Sequence, residues 1–182
     1  MVKELETSHK LFHSFCLRPN IHFSAQEEGE KIILIVRSHP LTQLSWIANG
    51  VILFIVLITI DFVLYNSTTI AQFIMINFLS VIMILSYLWF NFLAYYFNVG
   101  IITDKRVIDV DFNSILYREI NEAQLNKIED VTSKSSGYIA SVFDYGDIFI
   151  QTAGTIANIE LIKVPKPTQA ERIISDMMEK HG

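Results

Sequence analysis

Charge is almost absent from the middle of this sequence. Between Arg37 and Asp104 the only formally charged residue is Asp61. The stretch reads as two apolar blocks, Leu44–Leu64 and Ile70–Phe97. A bilayer core of about 30 Å needs about 20 apolar residues in a helix, and each block supplies that number. The scarcity of charge therefore allows both blocks to cross a membrane.

A polar connector, Tyr65–Thr69, joins the two blocks. In hydrocarbon every backbone N–H and C=O must be hydrogen-bonded within its own segment, so each spanning block is predicted to be a helix. A connector this short makes the two helices antiparallel. Residues 44–97 are thus predicted to form a transmembrane helical hairpin anchored in the lipid bilayer.

Cysteine and basic residues are also scarce. Cys16 is the only cysteine, so an internal disulfide is excluded. The formal net charge of -5 disfavours nucleic acid as a partner, because binding to its phosphates demands a basic face. The part of the chain after the hairpin has neither a glycine-rich phosphate loop nor a cluster with metal-ligand spacing. We therefore expect no enzymatic activity, no cofactor and no metal site.

Residues 1–26 are assigned to an N-terminal arm. The apolar residues up to Cys16 form one weak face of a short helix, which Pro19 would end. On such a helix His9, His13 and Cys16 would lie at i, i+4 and i+7, a spacing at which imidazole and thiolate groups chelate Zn²⁺. A fourth ligand is missing, so an interfacial or partly ordered arm is the favoured interpretation.

The positive charges that flank the hairpin predict its orientation. Lys31 and Arg37 precede the first helix, Lys105 and Arg106 follow the second, and the connector has no cation. Lys and Arg concentrate in the loops on the cytoplasmic side of a membrane. Both termini of this multi-pass chain are therefore predicted to be cytoplasmic, in the inner or plasma membrane.

Three polar residues inside the hairpin, Asn49, Asp61 and Asn77, are candidates for a role within the membrane. An ionisable group in lipid is a functional candidate by default. Asp61 lies in the last turn of the first helix, however, so a solvated carboxylate at the interface is the favoured interpretation. Asn49 and Asn77 are expected to hydrogen-bond across the helix pair, at about 0.6–2 kcal/mol each.

Short strands are predicted on both sides of the hairpin. Residues 27–43 hold a juxtamembrane strand, Lys31–Arg37, and residues 98–182 form a separate cytoplasmic domain. Turn residues in that domain separate strands at Asn98–Ile102, Val107–Phe112, Ile115–Ile120, Asp147–Thr152 and Asn158–Val164, with a loop at Ser133–Gly137 and either a twisted strand or a turn of helix at Leu125–Val131. This pattern is typical of an antiparallel sandwich or a small barrel.

The chain ends in its clearest amphipathic helix. Thr168 and Glu171 are spaced as a capping box, which places the helix start at Thr168. One apolar stripe follows at i, i+3, i+4, i+7 and i+8, formed by Ala170, Ile173, Ile174, Met177 and Met178. Such a helix is expected to lie over the open end of the sheet.

These features, in this order, resemble the YdbS-like family of membrane-flanked bacterial pleckstrin-homology (PH) domains. The resemblance covers Glu27 to the end and rests on Glu28-Gly29-Glu30, Ile102–Ile108, Leu125–Val131 and Phe143–Ile148. It implies an α+β membrane protein with a PH-like split β-barrel of about seven strands, capped by the C-terminal α-helix. It implies no catalytic residues.

Five residues in the matching segments have structural interpretations. Gly146 suits a turn or a close backbone approach that a Cβ would hinder. Thr103 and Asp104 are turn formers whose side chains bond nearby backbone, and Arg106 follows them. Asp147 is a possible ligand-binding residue, although capping of the turn at Gly146 is the favoured interpretation.

The favoured function is an interaction module on the cytoplasmic face that docks a protein partner or a second copy of itself. Four cations form a possible rim for a lipid head group, namely Arg106, Arg118, Lys127 and Lys134, but interleaved acids oppose phosphate binding. An alternative is a small subunit of a transport or channel assembly, with Asp61 and Asn77 lining the path. The close carboxylate pairs, Asp109 with Asp111 and Asp144 with Asp147, are interpreted as solvated surface rather than catalytic groups.

Overall fold

The computed structural model describes residues 14–19, 23, 26–114, 117–153 and 158–181. In chain order, its elements are β1 (Phe15–Leu17), β2 (Ile32–Val36), α1 (Leu44–Leu64), α2 (Ile70–Phe97), β3 (Val99–Thr103), β4 (Arg106–Ser114), β5 (Tyr117–Gln124), β6 (Ile128–Lys134), α3 (Tyr138–Val142), β7 (Tyr145–Thr152), β8 (Ile159–Pro165) and α4 (Pro167–His181). Short 3₁₀ turns at Pro40–Gln43 and Leu125–Lys127 precede α1 and β6. The protein is thus a mixed helix and sheet structure.

The chain divides into two compact units. One, here called the sheet unit, comprises Met1–Pro40 and Phe97–Gly182, and the other, the helical hairpin, comprises Leu41–Tyr96. The sequence predicts a separate domain at 98–182 after the hairpin and a juxtamembrane strand within 27–43 before it. In the structure β2 is instead a member of the same sheet as β3, β4 and β5.

The helical hairpin buries almost none of its apolar side chains. The predicted bounds of both helices are confirmed, and each is long and apolar enough to cross a membrane, over Pro40–Leu64 and Ile70–Phe97. Only Gly50 and Leu57 of α1 are buried, and no residue of α2 is. A Cβ on Gly50 would lie 2.6 Å from Leu88 Cδ2, so the missing side chain lets the two helices approach closely.

The larger sheet has five antiparallel strands in the order β1-β2-β3-β4-β5. β2 and β3 are neighbours although the entire helical hairpin lies between them in sequence, and Val36 is paired with Gly100. A Cβ on Gly100 would lie 2.7 Å from Leu161 of β8, so glycine permits close packing at this point.

The smaller sheet has three antiparallel strands in the order β6-β7-β8. The two sheets share one hydrophobic core with α4. The fully buried residues of this core include Leu34, Ile102, Val107, Ile148, Ile150, Ile159, Ala170 and Ile174. The predicted antiparallel sheets and their covering helix are therefore confirmed.

The apolar stripe of α4 faces this core as predicted. Ala170, Ile174 and Met177 are buried, and Ile173 and Met178 pack against the same cluster. The predicted start at Thr168 is wrong, because α4 begins at Pro167. The fixed φ of proline suits the first position of a helix, and the Lys166 carbonyl accepts hydrogen bonds from the N–H groups of the next turn.

Two local predictions about the N-terminal arm and the loop after β6 are also wrong. Residues 1–13 of the predicted helix lie outside the described residues, and its described end is a strand at Phe15–Leu17, where Cys16 pairs with Ile35 of β2. That pairing provides hydrogen-bond partners for the N–H and C=O groups on the edge of β2 that faces away from β3. A helix at this position would leave those groups without strand partners. The loop predicted at Ser133–Gly137 is shorter, because β6 runs to Lys134, and the helix α3 follows it without having been predicted.

A side chain at Gly146 should destabilise the sheet unit. A Cβ there would lie 2.6 Å from the Lys134 carbonyl oxygen, so the backbones of β6 and β7 must separate. We expect Gly146→Ala to lower the free energy of unfolding by about 1–3 kcal/mol. Gly146→Val should lower it further, as measured by thermal unfolding of the full chain in detergent. Equal unfolding temperatures for both variants and the wild type would contradict the steric explanation.

Candidate functional site

The centre of the candidate site is a buried ion pair between Glu30 and Arg106. Glu30 lies two residues before β2, its side chain is fully buried, and Arg106 opens β4. Arg106 Nε lies 3.1 Å from Glu30 Oε1, and Arg106 Nη2 lies 3.2 Å from Glu30 Oε2. Both carboxylate oxygens are thus engaged by one guanidinium, the geometry that makes such pairs strong and directional.

Further donors surround the Glu30 carboxylate. The Thr103 hydroxyl lies 2.8 Å from Glu30 Oε1, and the backbone N–H of Glu27 donates to Oε2 at 2.8 Å. The Thr103 oxygen in turn accepts from the N–H groups of Lys105 and Arg106 at 3.2 and 3.0 Å. Thr103 therefore closes the turn between β3 and β4 while it supports the carboxylate.

Next to this carboxylate, hydrogen bonds join the chain segment before the helical hairpin to the segment after it. They connect Lys31 with Asp104, which are 73 residues apart in sequence. The Lys31 N–H donates to Asp104 Oδ1 at 2.8 Å, and the Asp104 N–H donates to the Lys31 carbonyl at 3.0 Å. Glu30, Thr103, Asp104 and Arg106 are hereafter called the Glu30 cluster. This cluster fixes the end of the β2–β3 pair at which Ile32 lies opposite Thr103.

The cluster shifts the pKa values of both partners of the ion pair. Burial, the largest contribution, raises the pKa of Glu30, but the hydrogen bonds from Arg106, the Glu27 N–H and Thr103 outweigh it and hold the pKa below its ordinary value. The hydrogen bond to Glu30 raises the pKa of Arg106 against the opposing effect of burial. Both groups are therefore charged at neutral pH.

A surface cavity of about 440 Å³ borders the cluster. Arg106 Nη1 donates to Glu122 Oε2 of β5 at 2.8 Å, and Lys105 Nζ to Glu27 Oε2 at 2.9 Å. The lining consists of Glu27, Lys105, Arg106, Glu122, Gln124, Leu125, Asn126 and Lys127. Its three cations are balanced by two of these acids and by buried Glu30, so the cavity has no excess positive charge to attract a phosphate.

Of the four predicted rim cations, the structure brings two together. Arg106 and Lys127 line the same cavity. Lys134 is not among its lining residues and lies at the end of β6, paired in register with Asp147. Arg118 belongs to β5, and its side chain lies outside the described residues.

Gly146 and Asp147 lie in β7 of the smaller sheet and have structural roles there. Asp147 Oδ1 accepts the backbone N–H of Lys163 at 2.7 Å, where the pairing of β7 with β8 is irregular. Lys163 has a positive φ of 56°, and this bond satisfies its displaced backbone donor. Asp147 thus bonds the neighbouring strand instead of the turn at Gly146.

Within the helical hairpin Asp61 has a partner on the other helix. Asn77 Nδ2 donates to Asp61 Oδ1 at 2.9 Å and lies 3.1 Å from the Phe73 carbonyl oxygen. Asn77 therefore bonds across the helix pair, near the connector. Asn49 lies within α1, near its start.

The described residues contain no group of three or more His, Cys, Asp or Glu side chains that could hold a metal ion. Cys16 is buried in β1, where desolvation raises the pKa of its thiol against the opposing charge of Arg37. His9 and His13, the other members of the predicted metal set, lie outside the described residues.

Sequence reasoning missed the role of Glu30. The segments quoted for the resemblance contain Glu30 on one side of the hairpin and Arg106 on the other, but nothing in the pattern says that they meet. The sequence does contain a signal for this contact. An acidic residue precedes the apolar run that forms β2, and an arginine precedes the apolar run of β4. Once β2 and β3 are known to be neighbours, Glu30 and Arg106 are expected to lie close together.

These arrangements define a small β domain that is covered by a C-terminal helix and interrupted in sequence by an apolar helical hairpin. The family of bacterial PH domains matches residues 41–178, and the chain belongs to that family. Comparison with curated proteins and with solved structures gave no match. β1, β2 and Glu30 precede the matched region, although both strands belong to its larger sheet.

Removal of the Glu30 charge should destabilise the sheet unit. We expect Glu30→Gln to lower the free energy of unfolding by about 3 kcal/mol, because it leaves Arg106 without its buried partner. Glu122→Gln is the matched control, since Glu122 binds the same guanidinium from an exposed position, and should cost less than about 1 kcal/mol. Equal losses in thermal unfolding would contradict the assigned role of Glu30.

The lowered pKa of Glu30 predicts an acid-dependent stability. A carboxyl group whose pKa is lower in the folded than in the unfolded chain stabilises the fold. This stabilisation is complete at a pH above the pKa of the group in the unfolded chain, which is about 4.3. The stabilisation is lost as the pH falls through the pKa of the group in the folded chain. The difference in unfolding temperature between wild type and Glu30→Gln should therefore be constant at neutral pH and shrink below about pH 4. A difference that persists undiminished to about pH 2 would contradict this.

Proposed function

We propose that this chain is a YdbS-like, membrane-anchored and non-catalytic interaction module. In this proposal the helical hairpin anchors the chain in the cytoplasmic membrane with both termini in the cytoplasm. The sheet unit is a PH-like barrel that docks a protein partner or a second copy of the chain. Membership in the bacterial PH domain family supports an interaction role without catalysis.

The exposed apolar surface of the helical hairpin supports membrane anchoring. Side chains such as Phe62, Phe78 and Met83 are largely exposed, and nothing in the hairpin covers them. Contiguous apolar surface on this scale is unfavourable in water and favourable in hydrocarbon. The backbone of α1 and α2 bonds within each helix, as a lipid environment requires.

The unpaired edge of β5 supports docking through the larger sheet, and this is the observation that carries the proposal. In the described part of the chain β5 is the last strand of its sheet, and Ile120 at its middle is 50% exposed. The opposite edge, β1, has only three residues. A long unpaired strand offers N–H and C=O groups to which a partner strand can bond.

The edge of β8 provides a contrast within the same unit. The Ile162 carbonyl lies 3.2 Å from the Ser38 hydroxyl, and the Lys163 carbonyl accepts the His39 N–H at 2.7 Å. The segment before the helical hairpin therefore already covers part of this edge. A partner strand has more free backbone to bond on β5.

Lipid head-group binding and transport are the alternative functions. The charge-balanced cavity beside Arg106 does not favour phosphate over other ligands. For transport, the bond between Asp61 and Asn77 engages the two predicted lining residues with each other. This arrangement favours a role in holding the two helices together.

Photo-cross-linking from the two sheet edges tests the docking proposal. Benzoyl-phenylalanine is placed at Ile120 of β5 or, as the control, at Ile162 of β8, which is the same residue type with the same 50% exposure. In native membranes the Ile120 probe should give a discrete adduct, and its mass distinguishes a second copy from another protein. The Ile162 probe should give little or none. Absence of an adduct from Ile120, or equal adducts from both positions, would contradict docking at β5.

A further inference from the structure

A short apolar protrusion stands out on the sheet unit. Tyr138, Ile139 and Val142 of α3 are 93%, 66% and 76% exposed, and Phe143 directly after them is half-exposed. These four residues are hereafter called the α3 tip. Among the described residues outside the helical hairpin, most of the other exposed large hydrophobic side chains lie singly, as Ile120 and Ile162 do.

The α3 tip is an ordered helical turn. Ala140 is buried in the sheet unit and holds the helix in place. The N–H groups of Ser141 and Phe143 donate to the carbonyls of Gly137 and Ile139 at 3.1 and 3.0 Å. Because its backbone is already fixed, the turn can bury its four side chains in another medium without a further cost of ordering the backbone.

The strand that follows the α3 tip contacts the segment through which the chain leaves the sheet unit for the helical hairpin. Tyr145, two residues after Phe143, stacks on His39 with ring centroids 5.4 Å apart. His39 is followed directly by Pro40, the last residue of this part of the sheet unit. Leu44, the first residue of α1, is five residues after His39, so the chain between them spans at most about 18 Å.

We propose that the α3 tip is a second membrane contact, inserted into the interfacial layer of the bilayer that holds the helical hairpin. This inference rests on the proposed membrane anchoring. An aromatic and aliphatic set of four side chains on a single turn suits the boundary between head groups and acyl chains. The turn is too small for a specific protein interface, which covers about 800 Å² on each partner.

Such a contact would fix the orientation of the sheet unit on the membrane. With the exit at Pro40 as one attachment and the α3 tip as another, the unit can no longer rotate freely about its tether. The sheet edges would then face a constant direction relative to the bilayer, which limits the partners that can reach them.

Fluorescence quenching by lipid tests this proposal on the full chain. Single cysteines carrying the environment-sensitive fluorophore NBD are introduced in a Cys16→Ser background as Val142→Cys in the α3 tip, Glu129→Cys on exposed β6 and Phe78→Cys in α2. Each chain is reconstituted in vesicles of phosphatidylethanolamine and phosphatidylglycerol that contain a doxyl-labelled phosphatidylcholine. The doxyl group quenches only fluorophores that lie in the lipid.

We expect the probes at Val142 and Phe78 to lose at least half of their fluorescence and the probe at Glu129 to lose little. A quenched Phe78 probe with an unquenched Val142 probe would overturn the role of the α3 tip and leave the membrane anchor standing. A blue-shifted but unquenched Val142 probe would likewise overturn it, because the tip would then be buried in protein. An unquenched Phe78 probe would overturn the membrane anchor and, with it, this inference.

Discussion

The pairing of β2 with β3 is the constraint on which the rest of the structure depends. These neighbouring antiparallel strands are separated in sequence by the whole helical hairpin, yet Val36 lies opposite Gly100. The chain must therefore leave and re-enter the sheet unit side by side. Two antiparallel helices meet this requirement, because their free ends also lie together. If the inserted segment crosses a membrane, it must cross an even number of times, as the flanking cations also indicate.

The Glu30 cluster fixes the register of that pair at its other end. Burial of an ion pair contributes little net stability, because both charges lose their hydration. Its value here is geometric, since Glu30 and Arg106 meet only when β2 and β3 are aligned. We therefore interpret the cluster as a device for correct strand alignment across a long insertion. The balanced charge of the adjacent cavity agrees with a structural role.

The elements with strong local patterns could be predicted from the sequence, and those that depend on distant contacts could not. The bounds of α1 and α2 followed from long apolar runs, and the stripe of α4 from its 3.6-residue period. β1 was interpreted as a helix because its three residues take their conformation from β2. α3 went unnoticed because its exposed apolar residues follow no core-facing period. Glu30 and Arg106 were both seen, but their contact depends on a strand pairing that sequence spacing does not reveal.

The most direct test of a sheet unit interrupted by two membrane crossings is the accessibility of single cysteines in intact cells. In a Cys16→Ser background, Ser67→Cys lies in the connector between α1 and α2, and Glu129→Cys lies on exposed β6. A membrane-impermeant maleimide should label Ser67→Cys from outside and Glu129→Cys only after the membrane is opened. Labelling of both positions from outside, or protection of both until the membrane is opened, would contradict a hairpin that crosses the bilayer twice.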